Sequence, residues 1–178
     1  IEHTFKSVQE CNFIDEIFLS TDSKITKKIG NEYGISIPFT RPDYLSKDFI
    51  DLNSVIKYTL DKVSKKLEYD LVIIVDETYP MRPKNIITNI LKSMFKNKND
   101  SGIAIKKETR NIWLENNKQI EEFNLFMPSN LRDSFGLISL FGLCCISTPN
   151  LIREGRIIGN KPNFYEIKNA LSTNQIKN

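Results

Sequence analysis

The chain has 178 residues, 40% of them hydrophobic, which is enough for one globular domain with a real core. Its 25 basic and 22 acidic residues leave a net charge of +3 with no dense Lys/Arg stripe, so a nucleic-acid surface is not indicated and small molecules are the expected partners. No apolar run reaches transmembrane length and no signal peptide opens the chain, which speaks against a membrane span or secretion. One histidine, His3, and three scattered cysteines exclude a zinc site or a Cys-His nucleophile pair and fit a reducing cytoplasm.

In chain order, Glu2 to Cys11 reads as a short amphipathic helix with Phe5 and Val8 on one side. Its abrupt start at Ile1 raises the expectation that the chain is an internal piece of a longer protein. Glu16 to Ser20 reads as a strand, and Thr21 or Asp22 as the cap of a helix carrying Ile25, Ile29 and Tyr33, which Gly34 stops. An extended piece, Ile35 to Pro38, precedes Phe39-Thr-Arg41-Pro42. Leu52 to Leu67 keeps helical spacing through Leu52, Val55, Ile56, Leu60 and Val63.

The next stretch organises the rest. Leu71 to Val75 is a consecutive, mostly β-branched run, suited to a strand buried on both faces. Asp76 and Glu77 stand where it emerges, and in open α/β sheets ligands bind beyond the carboxyl ends of the strands. Pro83 sets up a helix from Asn85 to Phe95, with Ile86, Ile87, Ile90, Leu91, Met94 and Phe95 on one broad face. Ile103 to Lys106 is a further strand. Such alternation predicts an α/β domain over 1–178 with a mainly parallel, helix-covered sheet.

Asn111 to Pro128 departs from that rhythm. Trp113, Leu114, Phe123, Leu125 and Phe126 around an Asn-Asn-Lys corner predict a β-hairpin excursion, and its aromatic area predicts a homodimer contact. Leu137 to Thr148 reads as strand, with Cys144 and Cys145 pointing to opposite faces as small buried hydrophobes. Pro149 to Glu154 reads as a short helix, and the tail from Lys161 as a strand followed by loop.

No Gly-rich phosphate loop of either common type and no Gly-x-Ser-x-Gly turn is present. What remains are acids and arginines at strand ends. Asp22, Asp76 and Glu77 each follow an apolar run, and grouped there they would hold Mg²⁺ together with substrate phosphates. Asp22 is equally a helix N-cap, and Glu77 equally a solvated turn residue. Arg41, Arg82 and Arg132 would fork onto phosphate or carboxylate oxygens, or serve as surface ion pairs.

Four segments carry a resemblance. Phe18-Leu-Ser-Thr-Asp22, Gly34-Ile-Ser-Ile-Pro-Phe-Thr-Arg41-Pro42 followed by Leu45 and Asp48, Asp70 to Arg82, and Glu154-Gly-Arg-Ile-Ile-Gly-Asn-Lys161 are similar to segments of the acylneuraminate cytidylyltransferases, which make CMP-activated sialic acids. The resemblance implies a three-layer α/β/α, Rossmann-like nucleotide-diphospho-sugar transferase fold. It also implies CTP and an acidic sugar as substrates, Mg²⁺ as cofactor, and attack of an anomeric hydroxyl on the α-phosphorus with loss of pyrophosphate. Carried over by position, Arg41 helps hold the nucleotide and Asp22 orders the loop beside it. Thr78 and Pro80 shape the sugar side, Arg82 braces the turn, and Asp76 takes the place of a sugar-facing Gln. Glu77 replaces a Pro and Tyr79 a Ser, the family's late Asn-Gly pair aligns with Phe141-Gly142, and Arg132 is left as the candidate for the sugar carboxylate.

No catalytic base or metal ligand is assigned, because the family's basic Gly-rich loop is expected before Ile1 and its metal-binding Asp pair at or beyond Asn178. On that register residues 1–178 alone are expected to fold marginally and not to turn over CTP. The departures leave two alternatives beside the CTP-dependent enzyme: a nucleotidyltransferase of other nucleotide or sugar preference, and a non-catalytic domain used for binding or dimerisation.

Overall fold

A computed structural model describes residues 1–47, 49–64, 68–110, 112–116, 119–122 and 136–176. The elements follow in the order α1 (Glu2–Gln9), α2 (Lys24–Glu32), α3 (Leu52–Val63), β1 (Val72–Ile74), α4 (Ile86–Asn97), β2 (Ser101–Glu108), β3 (Trp113–Asn116), β4 (Gln119–Glu122), β5 (Gly136–Ser139), β6 (Cys145–Ser147), α5 (Pro149–Arg153) and β7 (Pro162–Glu166). Local chemistry sets most boundaries. Ser23 Oγ accepts from Thr26 N–H, Asp51 Oδ1 from Ser54 N–H and Thr148 Oγ1 from Leu151 N–H, each closing an open helix start. Ser23, one residue past the two expected candidates, is thus the cap of α2. Gly34 ends that helix at φ 69°, a conformation that costs glycine nothing.

Strand β2 is the axis of the main sheet. One of its edges pairs with β7 in parallel from Ser101 to Ile105. The other pairs antiparallel with β6 at Gly102 and Ile103 and with β5 from Ile105 to Glu108. β1 pairs antiparallel with β6, through Val72–Ser147, Ile73–Ile146 and Ile74–Cys145. Three of these four ladders are antiparallel, which corrects the expectation of a mainly parallel sheet. The reason lies in the connection. In the chain β5 and β6 come after the β3–β4 hairpin, and both run back against β2. The strands in βα rhythm keep their direction, since β1 and β2 both oppose β6 and β7 parallels β2.

Alternation along the strands divides two cores. Leu71, Ile73, Val75, Ala104 and Cys144 pack against α4 and α1, through Ile87, Ile90, Leu91, Met94 and Val8. Val72, Ile74, Ile103, Ile105 and Cys145 pack against α3 and α5, through Ile56, Leu60 and Ile152. Both faces of the sheet are therefore covered by helices, and Cys144 and Cys145 do face opposite ways, each fully buried as a free thiol.

Several smaller expectations are corrected. Phe95 is 63% exposed, one step off the α4 stripe that buries Met94 and Leu91. Ile25 is likewise exposed, because α2 contributes its Gly30 side to the interior. Glu16–Ser20 forms only one bridge, Phe18 to Ser36, rather than a full strand. Helix α3 ends at Val63, and residues 65–67 lie outside the described residues. Of the excursion, β3 and β4 form the expected antiparallel hairpin with Trp113 and Leu114 exposed, while Phe123, Leu125, Phe126 and Pro128 lie outside the described residues. Among the described residues no helix is long and apolar enough to cross a membrane.

Candidate active site

Because β1, β2 and β7 run the same way, their carboxyl ends open on one edge of the sheet. The turn after β1 is built there on a break in the partner strand. Leu140 N–H donates to Ala104 O and Ala104 N–H to Cys144 O, both at 2.9 Å, so Phe141, Gly142 and Leu143 bulge out of the ladder with their carbonyls free for other partners. Asp76 N–H takes the Gly142 carbonyl at 2.8 Å. The Asp76 carboxylate lies against Gly142 Cα, and its Oδ1 accepts both the Thr78 N–H, at 2.9 Å, and the Thr78 hydroxyl.

Arg82 closes this turn from inside. Nε donates to Leu143 O at 2.7 Å, Nη2 to Asp76 O at 2.7 Å and Gly142 O at 3.0 Å, and Nη1 to Thr4 Oγ1 at 3.3 Å. The side chain is buried, and burial pushes its pKa down from the ordinary value. Four of its five N–H groups are spent on the protein's own oxygens, the bracing geometry. Tyr79 is buried under the turn, its phenol pushed up by burial and then by the Asp76 charge. Glu77 is exposed, while Thr78 and Pro80 are half-buried.

Asp22 and Arg41 form a second cluster. Arg41 N–H donates to Thr21 O at 3.1 Å, which pins the two loops together. Its guanidinium then reaches Asp22 Oδ1 at 3.0 Å through Nη2 and Ser46 Oγ at 3.0 Å through Nε. A hydrogen bond from the residue's own backbone, followed by those from Arg41 and Ser46, holds the Asp22 carboxyl below its usual range. Helix α3 supports this corner, with Phe39 edge-to-face on Tyr58 at 5.5 Å and Ser20 Oγ 3.1 Å from Thr59 Oγ1. No hydrogen bond joins this cluster to the Asp76 turn among the described residues. Arg132 and Asp48 lie outside the described residues.

Other participants carry no motif. Thr4 on α1 bridges Asp76 O and Arg82, and the Leu143 and Gly142 carbonyls are backbone atoms that no side-chain pattern announces. Gln175 Nε2 donates to Thr78 Oγ1 at 3.1 Å and Ile176 N–H to Thr78 O at 2.8 Å. Asp100 organises the late Gly-rich turn, its Oδ2 accepting Asn160 N–H and Lys161 N–H.

The residues described do not fit a Mg²⁺ site. No three His, Cys, Asp or Glu side chains gather among them, and the expected grouping of Asp22, Asp76 and Glu77 is not formed. Asp22 is taken by Arg41, Asp76 by Thr78, and Glu77 is turned to solvent.

Residues 1–129, which include Asp22, Arg41, Asp76 and Arg82, match the family model described as "Cytidylyltransferase". Over 93 residues the chain is 28% identical to CMP-N,N'-diacetyllegionaminic acid synthase of Legionella pneumophila, covering 52% of this chain and 40% of that protein. Over 129 residues it is 23% identical to pseudaminic acid cytidylyltransferase of Campylobacter jejuni, covering 70% and 56%. The chain thus spans about half the length of these curated relatives. Among solved structures it resembles CMP:2-keto-3-deoxy-manno-octonic acid synthetase complexed with CTP, with a TM-score of 0.60 at 14% identity over 86% of this chain and 65% of that one. It also resembles a 4-diphosphocytidyl-2C-methyl-D-erythritol synthase, with a TM-score of 0.69 at 10% identity over 99% and 83%. At these identities the structures establish the fold. The family match covers well over half of the chain, and the chain belongs to the cytidylyltransferase family.

Proposed function

We propose that the protein is a CTP-dependent cytidylyltransferase that activates an acidic sugar of the nonulosonate class to its CMP derivative, releasing pyrophosphate. The observation that carries this reading is the family match over 1–129, with two relatives named for CMP-activation of legionaminic and pseudaminic acid. In the reaction the sugar's anomeric hydroxyl gives its proton to solvent as its oxygen bonds to the α-phosphorus of CTP, the bond from that phosphorus to the bridging oxygen breaks, and pyrophosphate leaves. The protein's work is positioning and charge stabilisation. Arg41, fixed by Asp22 and Ser46, is the cation offered to the nucleotide. The Asp76–Arg82 turn forms the sugar side, with Thr78 and Pro80 at its surface, and Arg132 answers the sugar carboxylate. Mg²⁺ accompanies the triphosphate in this reading.

Asp76 does not argue against an acidic substrate, because its carboxylate is answered internally by Thr78. Exposed Glu77 favours a second reading, a nucleotidyltransferase of other nucleotide or sugar preference. Thermal shifts with CTP, UTP and ATP separate the two, since only a ligand that binds the native state raises the midpoint. Stabilisation by CTP alone supports the first. No shift with any nucleotide favours the non-catalytic alternative.

The same reading makes the protein a homodimer through residues 111–128 and places it in the cytoplasm. Exposed Trp113, Leu114 and Ile120 on the hairpin support the first, and three buried free cysteines fit the second. Light scattering that gives a monomer at micromolar concentration would remove the dimer.

A further inference from the structure

The segment after β7 leaves the sheet at the same edge as β1, because the two strands run in one direction. Ile167 N–H still bonds Ile105 O at 2.8 Å, after which the chain turns through Leu171–Thr173, where buried Ser172 anchors it. It then meets the turn at a single residue. Thr78 receives a hydrogen bond on its hydroxyl from Gln175 and one on its carbonyl from Ile176, while its own hydroxyl and N–H are both given to Asp76.

We propose that Gln175 is a positioning residue of the sugar-side turn, fixing the Thr78 hydroxyl so that its proton is committed to Asp76 and its remaining lone pair faces the cleft. The inference rests on reading that turn as the sugar side of a cytidylyltransferase site. A threonine hydroxyl has one proton and two lone pairs. The proton goes to Asp76 and one lone pair takes the Gln175 amide, so Thr78 presents to substrate an acceptor and no donor. Such an arrangement selects a sugar that offers a hydroxyl or amide N–H at this point. Without the Gln175 amide the hydroxyl is held from one side only, and β-branched Thr78 gains a second rotamer.

The test uses the full-length protein with three variants. Gln175→Ala removes the amide, Gln175→Glu keeps its shape but has no donor, and Gln175→Lys restores a donor. In the substrate-free protein, hydrogen exchange at the Thr78 and Ile176 amides is expected to quicken about tenfold in the Ala and Glu variants and to recover in the Lys variant. Exchange along β1 and α4 is expected to stay unchanged. With CTP and legionaminic or pseudaminic acid, the KM for the sugar is expected to rise about five- to tenfold in Ala and Glu, with kcat and the KM for CTP unmoved. Unchanged exchange, a Glu variant that behaves as wild type, or equal changes in both KM values would overturn the proposal. Wild-type protein that releases no pyrophosphate from CTP overturns the functional reading and the sugar part of this inference, while exchange at Thr78 still decides whether Gln175 holds it.

Discussion

Gly142 and Asp76 approach so closely that a Cβ on the glycine would overlap the Asp76 carboxylate, while the Asp76 N–H bonds the Gly142 carbonyl at 2.8 Å. The end of β1 and the break between β5 and β6 are thus one joint. Gly142→Ala is expected to force the carboxylate out of its turn and to cost about 1–3 kcal/mol, the usual range for overpacking. Urea denaturation measures the loss. The double variant with Asp76→Gly should recover part of it, since residues in contact are not additive. Additive losses would show that the two do not interact.

Arg82 is expected to be a folding residue before it is a binding one. Arg82→Met takes the donor from the Leu143 carbonyl and leaves the Gly142 and Asp76 carbonyls with the Asp76 N–H and the Thr4 hydroxyl alone, at a cost of about 1–3 kcal/mol. Arg82→Lys should recover little, because an ammonium cannot span the positions a guanidinium fork reaches. A denaturation midpoint close to wild type in the Met variant would contradict this.

Arg41 should behave in the opposite way. Its pair with Asp22 is partly exposed, so Arg41→Ala is expected to change stability by less than about 1 kcal/mol. CTP affinity, measured by calorimetry, should weaken by about 1.5–3 kcal/mol as a charge-assisted hydrogen bond is lost. Unchanged affinity would reduce Arg41 to a surface ion pair.

Glu108 gives a pH signature. Hydrogen bonds from the Arg110 side chain, then from its backbone N–H, hold the Glu108 carboxyl down to about 2. A depressed carboxylate stabilises the fold above its unfolded value of about 4.5 and loses that contribution as pH falls toward the folded value. The difference in melting temperature between wild type and Glu108→Gln is therefore expected to be constant above about pH 5 and to shrink from there toward about pH 2. A difference that persists at the acid end would mean that the charge is not the cause.

The helices and the strand Leu71 to Val75 were legible because period and β-branching report burial directly: residues alternate there between two apolar cores. Strand direction was not, because it depends on how the chain returns after β2, and apolar Leu137 to Thr148 reads alike in either sense. The loops carrying Asp22, Arg41, Asp76 and Arg82 stood out by residue type. Their pairing did not. By spacing Arg82 is an arginine after a turn like any other; the bracing role comes from the family resemblance, and the bulge at Phe141 to Leu143 explains why it points inward. Thr4 stands 72 positions before the Asp76 carbonyl it donates to, and Gln175 stands 97 positions after the Thr78 hydroxyl, distances that no local pattern spans.

The most direct test is pyrophosphate release by the full-length protein supplied with CTP, Mg²⁺ and, in turn, legionaminic acid, pseudaminic acid and 2-keto-3-deoxy-manno-octonic acid. The expected result is release that requires both CTP and one of the two nonulosonates, legionaminic or pseudaminic acid, and is lost when UTP or ATP replaces CTP. Folded protein that releases no pyrophosphate with either nonulosonate, or releases it equally from UTP, would contradict the assignment.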